Sequence, residues 1–131
     1  MNASTKTGLG RALVAVYAVF ALSATARSGV QLATQASEAP LAYTLSAVAG
    51  LVYVAATLGL AEVVPHPRRL AWAAVLFELV GVLTVGSLTV LDPELFSDAT
   101  VWSAYGQGYG YLPLLLPFLG LAWLVRTRRP S

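Results

Sequence analysis

The sequence predicts an all-α transmembrane fold, a single domain over 1–131 folded as an antiparallel four-helix bundle with both termini in the cytoplasm. Three observations predict it. The chain holds four apolar runs, each near the roughly 20 residues that a membrane-crossing helix needs. Only 11% of its 131 residues are charged, against about 25% in a soluble domain, too few to cover a water-facing surface. Seven of the eight Lys and Arg residues, all but Arg27, fall on one side of the runs and most acidic ones on the other.

The first run covers about residues 12–34 and follows Lys6 and Arg11. Ala24-Thr25-Ala26 within it resembles a signal-peptidase site. The apolar run continues past that point through Val30 and Leu32, so an uncleaved first span is expected. The connection QASEAP ends at Pro40, and the second run, about 41–64, is closed by the breaker PHPRR. The third, about 70–91, stops at Asp92-Pro93, where the residue before a proline is disfavoured in a helix. After the loop DPELFSDATVWS, the fourth run covers about 105–125, and RTRRPS follows. Continuous apolar runs of this length fit helices; barrel strands are about 10 residues long and alternate.

Lys6, Arg11, Arg68, Arg69, Arg126, Arg128 and Arg129 all fall on one side of a four-span chain. Glu38, Asp92, Glu94 and Asp98 fall on the other, so the positive-inside rule puts both termini in the cytoplasm. Trp72 and Trp123 are expected at the inner interface, and Trp102, Tyr105, Tyr109 and Tyr111 in an aromatic belt at the outer one.

Glu78 is the one carboxylate well inside a run. A helix rises 1.5 Å per residue, which puts it about 12 Å beyond Leu70. An ionised carboxylate at that depth is costly, so Glu78 is expected to face the bundle interior and to stay neutral unless a cation or donor lies beside it. Tyr17, Tyr53 and Pro117 fall at similar heights on the other runs. Their convergence predicts either an interhelical hydrogen bond or a polar site for a proton, cation or small ligand. Arg27 lies on a polar stripe with Ser23, Gln31 and Gln35, spaced by four residues. It is expected to reach headgroups or Asp92, or to line a polar entry toward Glu78. The candidate intramembrane site is therefore Glu78, Tyr17, Tyr53 and Arg27.

Glu62 is expected to pair with Arg68 or Arg69 at the membrane surface. His66, the only histidine, is expected to be solvated or to touch headgroups. The GYG string shares letters with a potassium filter, but no pore helix precedes it. Close helix packing through Gly106 and Gly110, and through Ser46-xxx-Gly50 and Ala55-xxx-Gly59 on the second run, is the expectation. The chain has no cysteine and lacks a metal cluster, a nucleophile–base pair and any nucleotide-binding pattern. No enzymatic activity, cofactor or nucleic-acid partner is expected; the partners expected are the bilayer and a second copy or a larger membrane protein.

The strings ARSGVQLAT…EAPLAY, FELVGVL and LDPELFSDATVWSAYGQGYGYLPLLLP together resemble a group of small four-span integral membrane proteins of actinobacteria. The resemblance covers most of the chain and implies the four-span fold; it supplies no functional residue to carry over. The chain does not resemble small multidrug transporters, whose essential carboxylate lies in the first span, where this chain has Tyr17 and Arg27. The expected function is a non-enzymatic subunit or homo-oligomeric interaction protein, and the alternative is a small proton-coupled transporter or ion pathway using Glu78.

Overall fold

A computed structural model of the chain describes residues 8–95, 100 and 102–127. Lys6, Asp98, Arg128 and Arg129 lie outside the described residues. Four α-helices follow in order: α1 (Gly8–Gln35), α2 (Pro40–Leu60), α3 (Pro67–Leu91) and α4 (Leu112–Arg126). Short 3₁₀ turns at Pro93–Leu95, Ser103–Tyr105 and Gln107–Tyr109 stand between α3 and α4, and no strand occurs among the described residues. The first three helices are long and apolar enough to cross a membrane. With 15 residues, α4 spans about 22 Å, short of the roughly 30 Å of a hydrocarbon layer.

The helix ends have identifiable causes. Pro40 and Pro67 open α2 and α3 at the first helical position, where a missing N–H costs nothing. Asp92, held at φ −142° ahead of Pro93, ends α3 as predicted. The second run was expected to stay helical to about residue 64, but α2 stops at Leu60. There the Glu62 N–H donates to the Gly59 carbonyl at 3.1 Å and the Val63 N–H to the Leu58 carbonyl at 3.3 Å. That pairing is a Schellman cap, with Glu62 at φ 60° in the left-handed position that glycine usually fills. Left-handed backbone costs a non-glycine residue about 1–2 kcal/mol. Glu62→Gly is therefore expected to stabilise the fold by about 1 kcal/mol, read as a higher thermal midpoint in detergent micelles; a lower midpoint would mean that contacts of the carboxylate outweigh the backbone strain.

Helix α1 packs on α2, α2 on α3 and α3 on α4, whereas α1 and α4 touch only sparsely. The core is rich in small residues: Ala21 and Ala24 of α1, Ala49 and Ala56 of α2, and Ala71 and Ala74 of α3 are all buried. Lipid tails are as apolar as leucine, so close van der Waals contact rather than apolar burial holds such helices together. Two α2 glycines set the closest approaches. A Cβ on Gly50 would stand 3.0 Å from the Thr25 backbone nitrogen of α1, and one on Gly59 would stand 2.7 Å from the Ala71 backbone nitrogen of α3.

The predicted helix through Gly106 and Gly110 does not form. Both glycines are left-handed, as are Ala104, Tyr105 and Tyr111, so α4 starts seven residues later than expected. Gly106 (φ 86°) also seats against Pro113, where a Cβ would stand 2.5 Å from the ring. Beside short-range backbone bonds such as the Gly106 N–H to the Ser103 carbonyl at 2.9 Å, hydroxyl groups serve part of this segment's backbone. The Thr100 N–H donates to Ser103 Oγ at 2.7 Å, the Trp102 N–H to Thr100 Oγ1 at 3.1 Å and the Ala104 N–H to Thr89 Oγ1 of α3 at 2.7 Å. Satisfying the backbone in this way is what permits irregular chain beside membrane helices.

Candidate functional site

Three helices meet at Glu78. Its position on α3, facing Ala71, Val75, Val82 and Val85 along the buried stripe, leaves the side chain fully buried. Tyr17 projects from the buried face of α1 and is equally enclosed. Its hydroxyl donates to Glu78 Oε1 at 2.5 Å, and the carbonyl of Leu116 on α4 lies within reach at 3.2 Å. One phenol thus ties α1, α3 and α4 together. Two features of α4 make room for it. Gly120 carries no side chain where a Cβ would stand 3.0 Å from the Tyr17 hydroxyl oxygen. Pro117 cannot donate to the Pro113 carbonyl, so the helical ladder is broken at this depth.

The carboxyl is only half satisfied: Glu78 Oε2 is buried with no hydrogen-bond partner. Buried polar atoms without partners are uncommon in folded proteins and call for an explanation.

Tyr53 of α2 is fully buried beside this group, with its ring 6.2 Å from that of Tyr17. Its hydroxyl accepts a 2.9 Å hydrogen bond from the indole N–H of Trp102. Trp102 was expected in an interfacial belt, but it is only 2% exposed and turns inward. Gly81 of α3 creates its space, since a Cβ there would stand 2.5 Å from the indole. Gly86 does the same for the ring of Tyr105, whose hydroxyl is 2.9 Å from Ser87 Oγ. Trp102 therefore closes one side of the tyrosine cluster. A buried indole needs an acceptor for its N–H, and Tyr53 provides one.

Of the predicted site residues, Glu78, Tyr17 and Tyr53 come together and Arg27 does not. Arg27 lies on the exposed face of α1, donating to the Tyr109 hydroxyl at 2.9 Å rather than reaching Asp92. Ser23 and Gln35 of its stripe are likewise exposed, and Gln31 is half-buried. Arg68 donates to Thr127 Oγ1 at 3.0 Å and to the Leu124 carbonyl at 2.6 Å. A cation at the negative end of a helix is favourable, so Arg68 caps α4. His66 is exposed, at φ 52° just ahead of α3.

Sequence reasoning missed Trp102, Gly81, Gly86 and Gly120 as parts of this cluster. Two glycines inside an otherwise bulky apolar run were the available signal, since an interior glycine that packs against nothing only weakens a helix. Among the described residues no three histidine, aspartate or glutamate side chains gather where they would hold a metal. In comparisons with known proteins, the chain matches no family model, no curated protein and no solved structure.

Proposed function

We propose that this protein is a four-span component of the bacterial plasma membrane that acts through association, as a non-enzymatic subunit or homo-oligomer, rather than through chemistry. The single observation that supports this reading most is the enclosure of Glu78: the one intramembrane acid is fully buried and held by Tyr17. A polar pair of that kind acts as interhelical glue in a bundle. An antiparallel four-span arrangement with both termini in the cytoplasm is supported by the positive-inside rule, which favours Arg11, Arg68, Arg69 and Arg126 on that side. The segment from Trp102 to Tyr111 completes the crossing that α4 alone is too short to make.

Association has a candidate surface. Leu51 and Ala55 of α2 and Ala73 and Phe77 of α3 line a shallow apolar groove, and small residues let a second helix approach closely. The outward side chains around the molecule, Leu22, Val80, Leu91 and Phe118 among them, are large and apolar, as lipid or a partner would require.

The native chain has no cysteine, so a single Phe77→Cys probe reports on this face alone. In native membranes it is expected to cross-link into a dimer or a larger adduct. Cross-linking at none of Leu51, Ala73 and Phe77 would sink the association reading. The orphaned Glu78 Oε2 favours one second reading, a proton pathway. Liposomes holding the purified protein decide between them. The association reading expects no proton flux above that of empty liposomes; a flux abolished by Glu78→Gln would establish the pathway instead.

A further inference from the structure

Helices α1 and α4 barely touch, and the space between them is an open groove of about 400 Å³. Leu9, Leu13 and Val16 line it from α1, and Leu116, Leu119 and Trp123 from α4. These residues recur every three or four positions, so each helix turns an apolar stripe toward a neighbour that does not fill the gap. Among the described residues, the single charged one lining the groove is Arg126, in the last turn of α4. It is exposed, and Arg11 is exposed on the opening turns of α1. Arg68 is engaged with the end of α4, so it does not compete for an anion there.

The dimensions decide what fits. Along α4 the lining runs from Leu112 to Arg126, about 21 Å at helical rise. The mean cross-section is then about 20 Å², the width of a single hydrocarbon chain, whereas a helix 10 Å across has about 80 Å². A helix of a second copy would lie across the open groove without filling it. The charge pattern points the same way: basic pockets between membrane helices on the cytoplasmic side hold anionic headgroups, and a planar guanidinium matches phosphate with paired hydrogen bonds.

We propose that the α1–α4 groove binds one acyl chain of an anionic phospholipid, with the lipid phosphate held by Arg126. The lipid fills the seam that the protein leaves unpacked and joins α1 to α4 at the end where Tyr17 does not reach. This rests on the proposed orientation, with the Arg126 end of α4 at the cytoplasmic face, and not on the association reading.

Native mass spectrometry of the full chain, extracted in mild detergent and supplied with phosphatidylglycerol or phosphatidylcholine, tests the proposal. One phosphatidylglycerol per chain is expected to survive, retained at least about tenfold better than phosphatidylcholine, equivalent to about 1.4 kcal/mol. Arg126→Gln should reduce that preference to near parity, while Arg69→Gln, an exposed arginine outside the lining, should leave it unchanged. Leu119→Trp, which fills the groove from a half-exposed position, should abolish retention of both lipids. Equal retention of the two lipids by the native chain would overturn the proposal, as would an Arg126→Gln protein that still prefers phosphatidylglycerol. So would retention of inorganic phosphate in place of lipid, or a protein dimer that Leu119→Trp breaks. Helical circular dichroism matching the native chain establishes that each variant is folded.

Discussion

Tyr17→Phe is expected to destabilise the folded protein by about 2–4 kcal/mol, although it removes a single oxygen atom. The Tyr17 hydroxyl is the hydrogen-bond partner of Glu78 Oε1, and Glu78 Oε2 already lacks one. Without the phenol, both oxygens of a fully buried carboxyl stand alone, and an unsatisfied buried group costs its desolvation in full. Glu78→Gln should cost less, about 1 kcal/mol, because the amide keeps the shape and still pairs with the phenol. The diagnostic result comes from the double change. Glu78→Leu in the Tyr17→Phe background removes both polar partners together, and exchanging a buried polar pair for apolar groups of similar size is often nearly neutral. It should recover most of the lost stability. Thermal unfolding in detergent micelles, analysed as a double-mutant cycle, measures the coupling directly. Additive single effects would show that the 2.5 Å contact contributes nothing to holding the helices together.

Gly59→Leu is expected to be the most damaging change on α2, costing about 3 kcal/mol or more by overpacking. Even a Cβ at this position would stand 2.7 Å from the Ala71 nitrogen, 2.9 Å from its Cα and 2.9 Å from the Pro67 carbonyl oxygen. All three atoms are backbone, so no rotamer change relieves the clash and α2 must part from α3. The sheared interface carries Glu78 and Tyr53 with it, one on each helix. Two comparisons isolate the cause. Gly120→Ala meets side-chain atoms that can shift, the Tyr17 hydroxyl oxygen at 3.0 Å and Val75 Cγ2 at 3.1 Å, so its cost should be smaller. Gly29→Ala meets nothing within 4 Å and sits inside α1; it should be neutral, or stabilising by up to about 1 kcal/mol through helix propensity. Thermal midpoints ordered Gly59→Leu, Gly120→Ala, Gly29→Ala from lowest to highest are the expected result. Equal midpoints for the first and last would show that the close α2–α3 approach is dispensable.

Much of this was legible in the residues alone because helical geometry turns sequence position into depth. The fixed rise per residue set Glu78, Tyr17 and Tyr53 at comparable heights before their contacts were known, and the start of α2 at Pro40 and the end of α3 before Pro93 followed from the backbone limits of proline. Arg27 shows where such reasoning stops. It was placed in the candidate site with Glu78, but Ser23, Arg27 and Gln35 of its stripe are exposed, and sequence spacing says which residues share a face without saying where that face points. Trp102 shows a second limit. Tryptophans near a helix end are commonly interfacial, but this one found an indole acceptor in Tyr53 and a space over Gly81, both distant in sequence.

By itself, the sequence determined the helical class and the first three of the four membrane-length runs it predicted, because apolar run length is a local property of the chain; the fourth yields only the 15-residue α4. Tertiary structure alone decided that the Tyr17 phenol meets Glu78, that Trp102 turns inward, and that the glycine-and-tyrosine segment ahead of α4 coils in left-handed turns. Those outcomes depend on how each helix is rotated about its axis and on which glycine stands opposite which ring, and only the packing of distant segments fixes either.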